Sequence, residues 1–136
     1  MGRFVLDTSV AMSWCFADET SPCGERALDE LTRFEALVPA IWPLEVANVL
    51  LMAERRGRMD EAGSRQFTRL LGALPIFVVG QTADILFGDV IDCARRMGLS
   101  SYDASFLELA LRRELPLATQ DRRLTAAAQK LGVPLF

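Results

Sequence analysis

Short apolar runs alternate along the chain with longer stretches in which apolar residues recur every three or four positions. The short runs are typical of buried β-strands and lie at residues 4–6, 36–38, 76–79, 115–118 and 133–135. The longer stretches have the period of an α-helix and lie near residues 8–17, 21–34, 43–56, 59–73, 82–97, 101–113 and 122–131. Because strands that alternate with helices need crossover connections, we predict an α/β fold with a mostly parallel central sheet of about five strands and helices on both faces.

Three glycines indicate where predicted helices end, and one acid interrupts the apolar face of a predicted helix. Gly57, Gly98 and Gly132 each follow a predicted helix and indicate where it ends. In the helix predicted at 101–113, Asp103 lies on the same side as apolar residues three, four and seven positions further on. A buried, unpaired carboxylate is costly, so Asp103 needs a partner, a proton or a metal.

The composition excludes several classes of protein. At 51% hydrophobic and 24% charged residues, the chain is typical of a soluble globular domain. Its longest apolar run, 36–44, contains two prolines and is too short to cross a membrane, so we expect a cytoplasmic protein with no membrane association. The chain has no histidine, and its 3 cysteines are widely spaced, which argues against His-dependent nucleophiles, zinc sites and a disulfide framework. Any bound metal would have oxygen ligands, which favours Mg²⁺ or Mn²⁺.

The positive charges are mostly arginines in pairs. A net charge of −3 argues against a protein that coats nucleic acids, but the guanidinium group suits bidentate contact with phosphate. The pair Arg122 and Arg123 directly follows an acid, Asp121, and is therefore a candidate for substrate contact. The alternative is that both side chains are solvated at the start of the last helix.

Four acids are predicted to meet at the carboxyl edge of the sheet, where ligands bind in folds of this class. Asp7 ends the first strand, and Asp121 follows the fourth. Glu45 lies in the predicted first turn of the helix after the second strand, and Asp103 begins the helix that leads into the fourth. Since each acid also has a structural interpretation, namely an N-cap, a capping box with Ser100 or a complement to the helix dipole, none is decisive alone.

Polar neighbours strengthen the functional interpretation. Ser9 and Thr119 each place a hydroxyl two residues from an acid, and Asn48 lies one turn beyond Glu45. Four carboxylates at one apolar edge cannot all remain ionised without a compensating cation. A divalent ion bound by oxygens is the simplest solution.

Four motifs, in order, resemble those of PIN-domain ribonucleases, specifically the VapC-type toxins of bacterial toxin–antitoxin pairs. "FVLDTSVAMSW" resembles the opening strand with its D-x-S motif and carries Asp7 and Ser9. "PLEVANVL" resembles the E-x-x-N helix and carries Glu45 and Asn48. "LSSYDASFLELA" resembles the third motif, with Asp103, and "LATQDRRL" resembles the closing T-x-D motif, with Thr119 and Asp121.

The resemblance implies a single PIN-like nuclease domain at residues 1–136 and a Mg²⁺- or Mn²⁺-dependent endoribonuclease that hydrolyses phosphodiester bonds of tRNA or rRNA. It implies that Asp7, Glu45, Asp103 and Asp121 hold the metal and form the catalytic site, with Ser9, Asn48 and Thr119 orienting them or contacting phosphate. It also implies a homodimer and a cognate antitoxin. Large apolar side chains outside the core would then line the antitoxin groove, and they are drawn from Trp14, Phe16, Leu31, Phe34 and Trp42.

Other classes match less well. Haloacid-dehalogenase-type phosphatases carry D-x-D where this chain has Asp7-Thr8-Ser9, and receiver domains need a lysine after a late strand, whereas the only lysine is Lys130. No glycine-rich loop follows the first strand, which argues against nucleotide-cofactor binding. A non-catalytic PIN-fold domain that only binds partners remains an alternative.

Overall fold

The computed structural model describes residues 2–136 and contains one parallel sheet. Its strands run in the order β3-β2-β1-β4 and are β1 (Arg3–Leu6), β2 (Glu35–Pro39), β3 (Ile76–Val79) and β4 (Leu117–Ala118). The predicted α/β class and parallel sheet are confirmed.

The fifth predicted strand is reduced to a single parallel bridge between Leu117 and Leu135. Pro134 has no N–H to donate, so pairing is limited to two hydrogen bonds, from Leu117 N to Pro134 O (2.9 Å) and from Phe136 N to Leu117 O (2.9 Å). For the same reason β4 is shorter than predicted, since Pro116 precedes it.

Helices occupy each predicted helical stretch. They are α1 (Thr8–Ser13), α2 (Pro22–Glu30), α3 (Ile41–Arg55), α4 (Glu61–Gly72), α5 (Ala83–Ile85), α6 (Ile91–Met97), α7 (Ser101–Arg113) and α8 (Arg122–Lys130). A 3₁₀ turn at Ala17–Glu19 follows α1, and a π-helical turn at Leu86–Val90 joins α5 to α6. Because α3 begins two residues before the predicted start, Glu45 lies in its second turn rather than its first, too far from the end for a strong dipole effect.

Backbone conformation agrees with the predicted helix ends. Gly57, Gly98 and Gly132 have φ of 74°, 66° and 72°, in the left-handed region that glycine adopts readily. Glu114 ends α7 with a φ of 54°, which the sequence does not indicate.

The core is built around β1 and α7. Phe4, Val5 and Leu6 of β1 are fully buried, and residues 104–110 of α7 are buried without a break. This helix is therefore not simply amphipathic: it packs against β1 and β2 and passes through the interior. Its first turn, with Asp103, reaches the carboxyl edge of the sheet.

The five large apolar residues assigned in part to an antitoxin groove all pack in or against the core. Phe16, Leu31 and Trp42 are buried. Trp14 is half-buried, and its indole N–H donates to Gly24 O (2.7 Å). Large apolar side chains that are open to solvent lie elsewhere, on α3, α4, β3, the π-helical turn and α7 and at Leu135. Residues 2–136 include no helix with the length and apolar character to cross a membrane.

Candidate active site

The ends of β1 and β4 bring two of the acidic motifs together. The strands are parallel neighbours with Leu6 opposite Ala118, so the residues that follow each strand meet at the same edge. Asp7 N donates to Ala118 O (2.9 Å), and Thr119 Oγ1 donates to Asp7 Oδ2 (2.8 Å). The first and last motifs are thus one structural unit.

Asp7 is buried and does not cap a helix. It occupies the N-cap position of α1, but its carboxylate makes no capping hydrogen bond. Instead Oδ2 accepts hydrogen bonds from Ser9 Oγ (2.6 Å) and Thr119 Oγ1 (2.8 Å). Within residues 2–136, Oδ1 has no donor. The N-cap interpretation of Asp7 is therefore wrong, and one of its oxygens is available to a ligand.

Backbone N–H groups orient the two hydroxyls. Gln120 N donates to Ser9 Oγ (3.1 Å), and Asp121 N donates to Thr119 Oγ1 (3.1 Å). A hydroxyl that accepts an N–H has its own hydrogen free for another acceptor, and in both cases this is Asp7 Oδ2.

Glu45 is held by a residue that sequence reasoning missed. Thr8 Oγ1 donates to Glu45 Oε1 (2.7 Å), which links α1 to α3. The only signal in the sequence was the place of Thr8 between Asp7 and Ser9. Asn48 lies one turn further along α3 and is exposed.

The other two acids lie at helix starts, and their local roles differ. Asp121 caps α8, since its Oδ1 accepts from Leu124 N (2.9 Å). Ser100 caps α7 by accepting from Asp103 N (3.1 Å), which is half of the capping box considered for this pair. The capping interpretation therefore holds for Asp121 and leaves Oδ2 of that residue outside the cap.

Burial and mutual repulsion perturb three of the acids. Burial is the largest cause that raises the pKa of Asp7, and the charges of Asp103 and Asp121 raise it further. The pKa of Glu45 is raised by burial and by the charges of Asp7 and Asp103. Burial and the charge of Asp121 raise the pKa of Asp103. Each of the four carboxylates is therefore close enough to at least one other for the two charges to repel.

No ion pair within residues 2–136 includes any of these four acids. Nor, in that part of the chain, is any group of three carboxylates or thiols already arranged to hold a metal ion. The donor set is nevertheless one that suits Mg²⁺ or Mn²⁺, because it consists of partly buried carboxylate oxygens that form no ion pair within residues 2–136.

The two candidate arginines lie beside this cluster. Arg122 and Arg123 form the first turn of α8 and are exposed. The charge of Arg123 is close enough to Asp103 to lower the pKa of that acid, against the larger effects of burial and Asp121.

Comparison with known proteins identifies relatives over nearly the whole chain. The PIN domain profile matches residues 4–130. Ribonuclease VapC3 of Pyrobaculum aerophilum is 31% identical over 134 residues, which cover 97% of this chain and 99% of that protein.

Solved structures share the fold at lower identity. VapC20 of Mycobacterium tuberculosis, described as a toxin that cleaves the sarcin–ricin loop, superposes with a TM-score of 0.65 at 14% identity, covering 91% of this chain and 94% of that one. A toxin–antitoxin complex from Klebsiella pneumoniae superposes with a TM-score of 0.60 at 15% identity, covering 87% and 86% of the two chains.

Proposed function

This chain belongs to the PIN domain family, and on that basis we propose that it is a ribonuclease toxin which hydrolyses phosphodiester bonds of cellular RNA and is neutralised by a cognate antitoxin. The observation that carries the proposal is that Asp7 and Asp121 are joined through Thr119 where β1 and β4 end, with Glu45 and Asp103 near enough for their charges to act on this pair. The relative named as a ribonuclease aligns over nearly the full length of both proteins. We propose that one nuclease domain spans residues 1–136.

We further propose that the enzyme depends on Mg²⁺ or Mn²⁺, held by Asp7, Glu45 and Asp103 and completed by Asp121. Supporting this, Asp7 Oδ1 has no donor within residues 2–136, and three of the acids have raised pKa values and form no ion pair in that part of the chain. A bound divalent ion lowers the pKa of its water and neutralises the leaving oxyanion of a phosphodiester.

The residues around the acids position them. Ser9 and Thr119 hold Asp7 Oδ2 and so direct Oδ1 away from the network, while Thr8 fixes Glu45. Asn48, which is exposed on the same helix as Glu45, would contact a phosphate of the substrate. Arg122 and Arg123 would neutralise phosphates that flank the scissile bond.

The substrate is a structured cellular RNA, of the tRNA or rRNA class. Unpaired loops are the expected point of attack, because their backbone can be drawn into a narrow acidic edge. The similarity to a toxin described as cleaving the sarcin–ricin loop supports this class. A cytoplasmic location follows from such a substrate.

The partners proposed are an antitoxin and a second copy of the chain. The similarity to the K. pneumoniae complex supports an antitoxin. The homodimer rests on family resemblance, and light scattering of the purified chain tests it.

The decisive experiment measures RNA cleavage by the purified chain with millimolar Mg²⁺ or Mn²⁺ and with EDTA. We expect cleavage only with metal, and the Asp7→Asn variant controls for contaminating nucleases. Full activity in EDTA would refute the metal dependence. No cleavage under any condition would favour the non-catalytic, partner-binding alternative.

A further inference from the structure

A solvent-open cavity of about 470 Å³ lies between the start of α3, the π-helical turn and the start of α7. Apolar side chains form most of its lining, among them Ile41 from α3, Leu86 and Phe87 from the π-helical turn, and Tyr102 from α7. Phe87 and Tyr102 are 75% and 59% exposed, so both aromatic rings are open to solvent. The volume is within the range of about 300–1,000 Å³ found for small-ligand pockets.

Two residues of the lining are near neighbours of proposed active-site acids along their helices. Tyr102 directly precedes Asp103 in the first turn of α7, and Ile41 lies one turn before Glu45 in α3. An RNA whose scissile phosphate lay among the acids would therefore bring a neighbouring nucleotide near Tyr102 and Ile41.

The polar groups of the lining suit the edge of a base. Gln81 Nε2 donates to Ser105 O (3.0 Å) and to Glu108 Oε1 (2.8 Å), which fixes the side-chain amide. Its oxygen is then left to accept from a ligand N–H, and the hydroxyl of Ser101 lies in the same lining. Flat apolar surface with a few fixed polar groups is what recognition of an unstacked base requires.

We propose that this cavity, which we call the base pocket and define by Ile41, Gln81, Leu86, Phe87 and Tyr102, binds an unstacked nucleobase of the RNA next to the scissile phosphate. The base stacks on the exposed aromatic rings, and its edge meets the Gln81 amide. The pocket thereby selects where the RNA is cut. This inference rests on the proposed ribonuclease function.

The test uses a pool of single-stranded RNA randomised in sequence, cut with Mg²⁺ present, and sequencing of the new ends. The wild type should prefer one base at a fixed position beside the cut. Tyr102→Leu and Phe87→Leu should lose that preference, and cleavage of the preferred sequence should fall roughly 5- to 150-fold, the range for loss of one base–aromatic stack. Tyr102→Phe keeps the ring and should keep the preference, which separates stacking from a folding defect.

Phe77→Leu is the matched control, because Phe77 is an exposed aromatic residue of β3 that does not line the pocket. A second measurement needs no catalysis. The fluorescence of RNA labelled with 2-aminopurine should be quenched when the RNA binds the protein in EDTA, and Tyr102→Leu should abolish this quenching.

The outcomes separate the two proposals. If the wild type cleaves RNA and both leucine variants keep its base preference and quenching, the base pocket is refuted and the ribonuclease function stands. If the wild type neither binds nor cleaves RNA, the ribonuclease function fails and the base pocket fails with it. If the variants change only the oligomeric state in light scattering, the surface is a protein contact and the inference is wrong.

Discussion

Thr119 donates a 2.8 Å hydrogen bond to Asp7 across 112 positions of sequence. This bond depends on the parallel pairing of β4 with β1, which brings the ends of both strands to one edge. The same hydroxyl accepts from Asp121 N, so a single side chain joins the first acid of the site to the turn that carries the last. Loss of the Thr119 hydroxyl should therefore alter the orientation of the Asp7 carboxylate directly.

We predict that Thr119→Val reduces RNA cleavage by roughly 10- to 100-fold while leaving the fold intact, as is typical when a group that orients a metal ligand is removed. Valine keeps the shape of threonine but cannot donate to Asp7 Oδ2. Thr68→Val is the control, since the Thr68 hydroxyl donates only to Arg65 O on exposed α4. Equal activity of both variants would show that the bond to Asp7 does not matter for catalysis.

The acids themselves should be essential for cleavage and unfavourable for stability without metal. We predict that Asp7→Asn, Glu45→Gln and Asp103→Asn each abolish cleavage, and that in EDTA each variant melts at or above the wild-type temperature. The reason is that removal of one charge relieves repulsion among buried carboxylates. Thermal melts and RNA cleavage assays on the same samples measure both effects. If one of these variants cleaves RNA at the wild-type rate, the catalytic role proposed for the substituted residue is wrong.

That Asp7 and Asp121 lie at one edge could be predicted, because this depends only on strand order and on which strand ends meet there. The difference between Asp7 and Asp121 could not. Both stand in N-cap positions, but only Asp121 caps its helix, since hydroxyls from two separate segments compete for Asp7. Likewise, the Thr8–Glu45 bond depends on how α1 packs against α3, which hydrophobic periodicity does not specify.

In the absence of metal, the contribution of Asp7, Glu45 and Asp103 to stability should fall as pH rises, which is opposite to the contribution of acids that cause ordinary acid denaturation. Burial raises the pKa of Asp7 and Asp103 above 3.8 and that of Glu45 above 4.5 in the folded protein. Between those values and the raised ones, the folded state binds more protons than the unfolded state, so these groups lower the free energy of unfolding as pH rises.

We therefore predict that, in EDTA, the difference in melting temperature between Asp7→Asn and the wild type grows as pH increases through this window and then levels off. Melts at closely spaced pH values measure it. Saturating Mg²⁺ should reduce the difference, because an ion that binds only the folded state offsets the repulsion. A difference that is constant with pH would contradict the raised pKa of Asp7.

A buried charge network away from the acids should contribute to stability. Glu108 is only 4% exposed and accepts from Arg112 Nε (2.8 Å) and Gln81 Nε2 (2.8 Å). We predict that Arg112→Met lowers the free energy of unfolding by about 1–3 kcal/mol, because it leaves a buried carboxylate short of donors.

Urea denaturation at pH 7 measures this effect. Arg113→Met, a change at the next and exposed position, is the control. The double variant Glu108→Met/Arg112→Met should recover most of the stability, since both charges are then gone. A double variant less stable than Arg112→Met alone would refute this account of the network.

The last prediction separates RNA binding from chemistry. Arg122 and Arg123 directly follow Asp121, and the charge of Arg123 reaches Asp103, so phosphates near the acids lie close to this pair. Changing both to Ala should weaken RNA binding and reduce the slope of log affinity against log salt by roughly 0.7 for each phosphate that the variant no longer binds. Stabilisation by Mg²⁺ should persist, because neither arginine is a proposed ligand. The double variant Arg55→Ala/Arg56→Ala removes the same charge at the far end of α3 and is the matched control. If both double variants reduce the slope equally, the effect is one of net charge, and Arg122 and Arg123 are only solvated side chains at a helix start.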